Sequence, residues 1–141
     1  MGCVFCNIIA GTEPAATIYE DDQSIAFLDI APLAPGHTLL VPKEHYSSLA
    51  PMPAEYQGAL MATASRLAVA VMKAVKADGF NLLVNNGTCA GQVVRHAHIH
   101  IIPRFCLDTL VLPPPGGRPP SQEKTRDIMD NIKQRLDGTL S

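Results

Sequence analysis

Arg95-His96-Ala97-His98-Ile99-His100-Ile101-Ile102-Pro103-Arg104 is the stretch that decides how this 141-residue chain folds. Its three histidines stand at i, i+2 and i+4. A β-strand repeats every two residues, so this spacing predicts a strand with three imidazoles on one face. They would be roughly 6–7 Å apart for each two-residue step. Ala97, Ile99 and Ile101 then point the other way, into a core. The chain has five histidines, and three of them fall within five residues. An imidazole titrates near neutrality and serves as nucleophile, base or metal ligand. A lone histidine on a strand is usually a surface residue or a satisfied core residue. Three in strict alternation, with apolar partners between, point to a site. A structural metal is the rival reading, since histidine is a common zinc ligand. Neighbours on one flat strand chelate poorly, however, so at most one or two of the three would hold the same ion.

Outward from this strand, the chain reads as an α+β domain. Asn7-Ile8-Ile9-Ala10 is expected to close a short helix that Gly11 stops. Thr17–Glu20 and Ser24–Asp29 read as strands, with Asp21-Asp22-Gln23 as a hairpin turn between them. A loop with two prolines, 31–36, leads to a strong strand at His37–Val41 that Pro42 closes. From Pro53 to Asp78 the period changes. Leu60, Met61, Ala64, Leu67, Ala68, Val71, Met72 and Val75 recur at helical spacing, with Gly79 as the stop. Phe80–Asn85 is a strand again, and a glycine-bearing loop, 86–91, joins it to the histidines. Residues 107–120 carry five prolines and two adjacent glycines, which predicts an extended, poorly ordered segment. Gln122–Leu136 regains helical period through Ile128, Ile132 and Leu136. Hairpin-like strands interrupted by one long helix suggest an antiparallel sheet covered on one face. Alternating βαβ units are lacking. Gly36, Gly87 and Gly91 form neither a G-x-G-x-x-G nor a P-loop pattern.

Length fits a single domain, 1–141, with a core at 3–106, the proline-rich segment at 107–120 and a C-terminal helix at 121–137. A net charge of −2 and a pI near 6.2 leave no basic stripe for a nucleic-acid polymer. No apolar run reaches the roughly 18 residues that span a bilayer. No basic n-region follows Met1, and Cys6 stands where a myristoylation motif wants Ser or Thr. The expectation is therefore a soluble intracellular protein, cytoplasmic or nuclear, with no membrane partner. Four cysteines in a reducing compartment do not make a disulfide framework. Cys3 and Cys6 form a C-x-x-C pair that suits a metal or a redox couple. With no strand before the pair, metal is the better reading, with two further ligands elsewhere. Cys89 and Cys106 read as small apolar residues.

His96-Ala97-His98-Ile99-His100-Ile101-Ile102 resembles the motif of the histidine-triad (HIT) superfamily. The resemblance extends over residues 3 to about 105. Cys3-x-x-Cys6-Asn7-Ile8-Ile9-Ala10-Gly11, Ile18-Tyr19-Glu20-Asp21-Asp22 and Phe27-Leu28-Asp29-Ile30 carry it. So do Pro32, Ala34-Pro35-Gly36-His37, Val41-Pro42-Lys43-x-His45 and Gly91-Gln92-x-x-x-His96. It is closest to the Hint-like and related small hydrolases. The galactose-1-phosphate uridylyltransferase branch, whose third histidine is a glutamine, fits less well.

The resemblance implies a five-stranded antiparallel sheet with one long helix packed on it and a C-terminal helix. It implies a hydrolase that cleaves a phosphoester or phosphoramidate at the α-phosphate of a purine nucleotide. A nucleotidyl-histidine forms, and AMP or GMP is released. His98 maps to the nucleophile, with the His96 carbonyl fixing its tautomer. His100 and His37 map to phosphate contacts or proton transfer, and Gln92 and Asn85 to neutral donors for the phosphoryl group. Asp29 maps to the ribose acceptor, with Phe27, Ile30 and Leu39 as walls for the base. Taken singly, Asp29 is as well read as a turn residue, and the three apolar residues as plain core. The resemblance also implies a structural, non-catalytic zinc on Cys3, Cys6, His45 and His96, and a homodimer built along the long helices. Val93 stands where Hint-like enzymes commonly have serine, and valine donates no proton. That leaves dinucleoside polyphosphate hydrolysis as an alternative to phosphoramidase activity. A catalytically idle nucleotide-binding or scaffold protein is the rival from another class.

Overall fold

The computed structural model describes residues 2–112 and 116–139. The chain divides into two compact units, residues 1–110 and 111–141. In the first unit, helix α1 (Val4–Ala10) precedes strands β1 (Thr17–Glu20), β2 (Ser24–Leu28) and β3 (Thr38–Pro42). Helix α2 (Ala54–Ala74), β4 (Gly79–Leu83) and β5 (Ile99–Arg104) follow. The five strands form one antiparallel sheet in the order β1-β2-β3-β5-β4. The expected α+β class and sheet are thus observed, and α2 packs on β3, β4 and β5. The second unit holds α3 (Gln122–Thr139), where the Ser121 hydroxyl accepts from Lys124 N–H at 3.2 Å. No helix among the described residues is long and apolar enough to cross a membrane.

Local chemistry explains these elements. Gly11 takes the left-handed conformation at φ 80° and closes α1. Asp21 Oδ1 accepts from the N–H groups of Gln23 and Ser24, both at 2.8 Å, and so fastens the β1–β2 turn. Every residue of β3 is buried, because both faces of the sheet are covered. Leu40 packs with Leu60 and Ala64 of α2, together with Ala26, Met52, Ala97 and Ile99. Leu39 and Val41 pack on the other face with Phe5, Ile25 and Phe27. A strand buried on both sides reads as a continuous apolar run, which is what Leu39-Leu40-Val41 is.

The histidine strand departs from expectation. Only His100 lies within β5, while His96 and His98 precede it. The apolar half of the alternation holds: Ala97, Ile99 and Ile101 are all buried. His96 is drawn out of the pairing because its ring is anchored elsewhere. Ala97 N–H donates to Tyr46 O at 2.7 Å in place of a ladder bond. The proline-rich segment also begins in a more fixed way than expected. Arg104 grips the Asp108 carboxylate through Nε at 3.0 Å and Nη2 at 2.8 Å. This pairing holds the Asp108 carboxyl well below the usual carboxylate range. Residues 107–112 and 116–120 carry no helix or strand, and 113–115 lie outside the described residues.

Two glycines give opposite predictions for one substitution. Gly36 has φ +87°, and an added Cβ would sit 2.9 Å from Val75 Cγ1 and 3.1 Å from Val71 Cγ1. Gly58 lies within α2, and nothing approaches its Cβ position within 4 Å. Gly36→Ala should destabilise by about 2–4 kcal/mol, combining backbone strain with overpacking. Gly58→Ala should stabilise by roughly 0.5–1 kcal/mol. Denaturant unfolding of both variants measures the contrast.

Candidate active site

Two groups of side chains meet at the start of β5, on either side of His96. The first joins the N-terminal helix to the sheet. Cys3, at the N-terminal boundary of α1, and Cys6 within it bring their sulfurs to His45 and His96. Cys3 Sγ lies 3.4 Å from His96 Nδ1, and Cys6 Sγ lies 3.3 Å from His45 Nδ1 and 3.6 Å from His96 Nδ1. The two imidazole nitrogens are 3.1 Å apart. Tetrahedral zinc with ordinary bond lengths would space its ligands by roughly 3.3 Å for N···N and 3.6 Å for N···S. The Cys₂His₂ set therefore matches zinc in chemistry and in spacing. His96 Nε2–H donates to Pro42 O at 2.8 Å, which leaves Nδ1 unprotonated and facing the sulfurs.

The second group lies on the α1 side of the sheet, in a cavity of about 570 Å³. That volume suits a small-molecule ligand. His98, His100, Asp29, Phe27, Leu39 and Ile30 line it, as does Val93. His98 Nδ1–H donates to His96 O at 2.6 Å, so its other ring nitrogen, Nε2, carries a lone pair. A separate chain of bonds sets His100. Leu33 N–H donates to His37 Nδ1 at 3.0 Å. The His37 proton therefore sits on Nε2, which donates to His100 Nδ1 at 3.0 Å. His100 is left with its proton on Nε2. The two cavity histidines thus present opposite polarity, one a lone pair and the other an N–H.

Burial lowers the pKa of His37, His96 and His98 below the usual imidazole value. For His37 and His98 the Asp29 carboxylate opposes this, and for His96 and His98 the backbone carbonyls that they bond do so. His100 is pushed down to about 4 by burial and then by the neighbouring His98 and His37. Neutral imidazoles are the working forms near pH 7.

Three expected contacts take different positions. His37 is buried, and both of its ring nitrogens are engaged, so it stands behind His100 and does not face the cavity. Gln92 is buried too. Its Oε1 accepts from Gly87 N–H at 2.9 Å, and its Nε2 donates to Ser47 O and Val94 O at 2.6 and 2.9 Å. The amide is spent on holding the loop before the histidines. Asn85 Nδ2 bridges to Gly91 O at 3.4 Å in the same loop. Asp29 combines its two readings. Oδ1 accepts from Ala31 N–H at 2.8 Å as a turn residue, while Oδ2 lies 3.6 Å from His37 Nε2 at the cavity wall. Ile30 is fully exposed on the rim, and Val93 is 91% exposed.

Sequence reasoning missed Phe5, whose ring meets His98 edge to face at 5.1 Å and Phe27 at 5.4 Å. Val4 and Ile8 share that wall. Their spacing at i, i+1 and i+4, beside the cysteine pair, is the signal that could have found them.

Known proteins resemble this chain over most of its length. The HIT domain family model matches residues 10–107. The adenylylsulfatase HINT3 of Arabidopsis thaliana is 49% identical over 108 residues, covering 77% of this chain and 55% of that protein. The adenosine 5′-monophosphoramidase HNT1 of Saccharomyces cerevisiae is 45% identical over 102 residues, covering 72% of this chain and 62% of that protein. The chain therefore spans somewhat over half the length of these two relatives. The crystal structure of a Zn-bound histidine triad family protein from Mycobacterium smegmatis superposes with a TM-score of 0.76 at 37% identity, covering 99% of this chain and 98% of that one. The chain belongs to the histidine-triad family.

Proposed function

We propose that the protein is a hydrolase that cleaves at the α-phosphate of a purine nucleotide through a nucleotidyl intermediate on His98. The observation that carries this is the opposite polarity of His98 and His100 within one cavity. The hydrolase names of two relatives support the reaction class. The Nε2 lone pair of His98 attacks phosphorus. The bond to the leaving group breaks, and its electron pair departs with that group. The phosphorylated ring carries a positive charge, which the His96 carbonyl stabilises through Nδ1–H. The Nε2–H of His100 donates to a phosphoryl oxygen as charge develops there. Water then attacks phosphorus, and the P–N bond breaks with its pair returning to Nε2. A proton leaves with the nucleoside monophosphate. Asp29 would accept from the ribose hydroxyls, and Phe27, Ile30 and Leu39 would wall the base.

Val93 favours one kind of leaving group. It lies on the cavity wall and donates nothing. Groups that depart as stable anions, such as sulfate, carboxylate or a second nucleotide's phosphate, need no proton there. An amine does. Zinc on Cys3, Cys6, His45 and His96 would supply a structural tie between α1 and the sheet. That tie matters for binding because α1 is a wall of the cavity. A homodimer belongs to the same reading: β4 is an edge strand, and α2 exposes Met61 and Val69.

Three measurements follow from this site. With an adenylyl sulfate or a phosphoramidate as substrate, His98→Ala should lower kcat by at least about 10³-fold, with AMP still binding. A variant as fast as the parent removes His98 as nucleophile. Metal analysis should find one zinc per chain, and Cys3→Ser with Cys6→Ser should abolish it, lower Tm and weaken AMP binding. Full zinc retention in that variant would remove the cysteines as ligands. The pH profile follows from the lowered imidazole values. A nucleophile whose pKa is depressed stays neutral to lower pH, so the acid limb moves down. kcat/KM should stay flat from pH 8 to 6.5 and fall only between there and about pH 4, where His100 also protonates.

A further inference from the structure

The cavity runs across the sheet, and cross-strand register serves as its ruler. His100 on β5 pairs with Leu39 on β3, Leu39 with Phe27 on β2, and Phe27 with Thr17 on β1. Two interstrand steps put roughly 10 Å between His100 and Phe27, both of which line the cavity. That suits a nucleoside monophosphate with phosphate at the histidines and the base at Phe27 and beyond. Val4 and Ile8 of α1 and the connection Glu13-Pro14-Ala15, which runs into β1 beside Phe27, also line the cavity. Glu13 is the one charged group of these five, and among the described residues its carboxylate has no hydrogen-bond or ion-pair partner.

The backbone beneath Glu13 is well fixed. Asn7 O accepts from Thr12 N–H at 2.9 Å, Glu13 N–H at 3.2 Å and Thr12 Oγ1–H at 3.2 Å. Pro14 then limits the next φ. An unpartnered carboxylate on a firm base, beside the apolar side chains of Val4, Ile8 and Pro14, is placed to read a donor pattern.

We propose that Glu13 reads the base and selects guanine. The inference rests on the nucleotide-hydrolase reading of this site. An ionised carboxylate only accepts hydrogen bonds. The Watson–Crick edge of guanine offers two adjacent donors, N1–H and N2–H, which fit the two oxygens of one carboxylate. Adenine offers N6–H beside an N1 lone pair, so its second position faces a carboxylate oxygen acceptor to acceptor. Hypoxanthine keeps N1–H and lacks N2–H. The selectivity order is therefore guanosine, then inosine, then adenosine.

The test compares kcat/KM for the guanosine, inosine and adenosine 5′-phosphosulfates, with calorimetric binding of GMP, IMP and AMP. The expected result is that order, with at least about tenfold between guanosine and adenosine, as charge-assisted bonds at an exposed rim would give. Glu13→Gln and Glu13→Ala should bring guanosine and adenosine within about threefold of each other, with Tm unchanged because Glu13 is exposed. Equal rates in the parent, a preference for adenosine, or an undiminished guanosine preference in both variants would overturn the assignment of Glu13 while leaving the hydrolase reading intact. A parent that neither cleaves nor binds any of these nucleotides would overturn both.

Discussion

The structure turns on the residue His96, which holds three bonds in three directions. Its Nε2–H goes to Pro42 O at the end of β3, its Nδ1 faces Cys3, Cys6 and His45, and its carbonyl accepts from His98. The ring is fully buried. A buried imidazole with an unmade bond would be costly, so each direction constrains the others. The strand end, the ligand cluster and the tautomer of His98 are thus one arrangement. Among the described residues, no buried side-chain nitrogen or oxygen lacks a partner.

The cluster and the cavity are coupled through α1. The short helix has no acidic residue in its first turn and no side-chain cap, and seven residues form a marginal helix alone. Two anchors compensate. One is Phe5, packed against Phe27, His96 and His98. The other is the cysteine pair, set against two histidines distant in sequence. Because Val4, Phe5 and Ile8 wall the cavity, whatever fixes the sulfurs also fixes the surface that a ligand meets.

Much of this was legible in the sequence, and the misses share a cause. The strand period gave Ala97, Ile99 and Ile101 to the core, and His37–Val41 read as a strong strand, though not as one covered on both faces. The alternation did not show that His96 and His98 lie before β5, because the pull on His96 comes from residues 51 and more positions away. The family resemblance maps Gln92, Asn85 and His37 to the phosphate, and their types can donate there. Type states what a group is able to bond; it does not state which partner lies within reach. Gln92 finds three backbone groups nearer at hand. Phe5 escaped notice because a buried aromatic beside two cysteines has an adequate reading as core.

His37 illustrates how an indirect position can still govern the chemistry. Two neutral imidazoles of the same tautomer would offer the same group to a ligand, either two lone pairs or two donors. A reaction at phosphorus uses one of each. The sheet produces this asymmetry with one acceptor and one donor. A backbone carbonyl, His96 O, takes the Nδ1 proton of His98. An imidazole, His37, whose own Nδ1 is occupied by Leu33 N–H, donates to Nδ1 of His100. The difference originates in a backbone carbonyl on one side and a backbone N–H on the other, and each is fixed by the chain's path. Burial favours the neutral form of each of these rings, because a charged ring loses solvation there; for His37 and His100, protonation of Nδ1 would also break the bond that each accepts. Polarity, tautomer and pKa are therefore set together by main-chain geometry, and no charged residue is required to impose them.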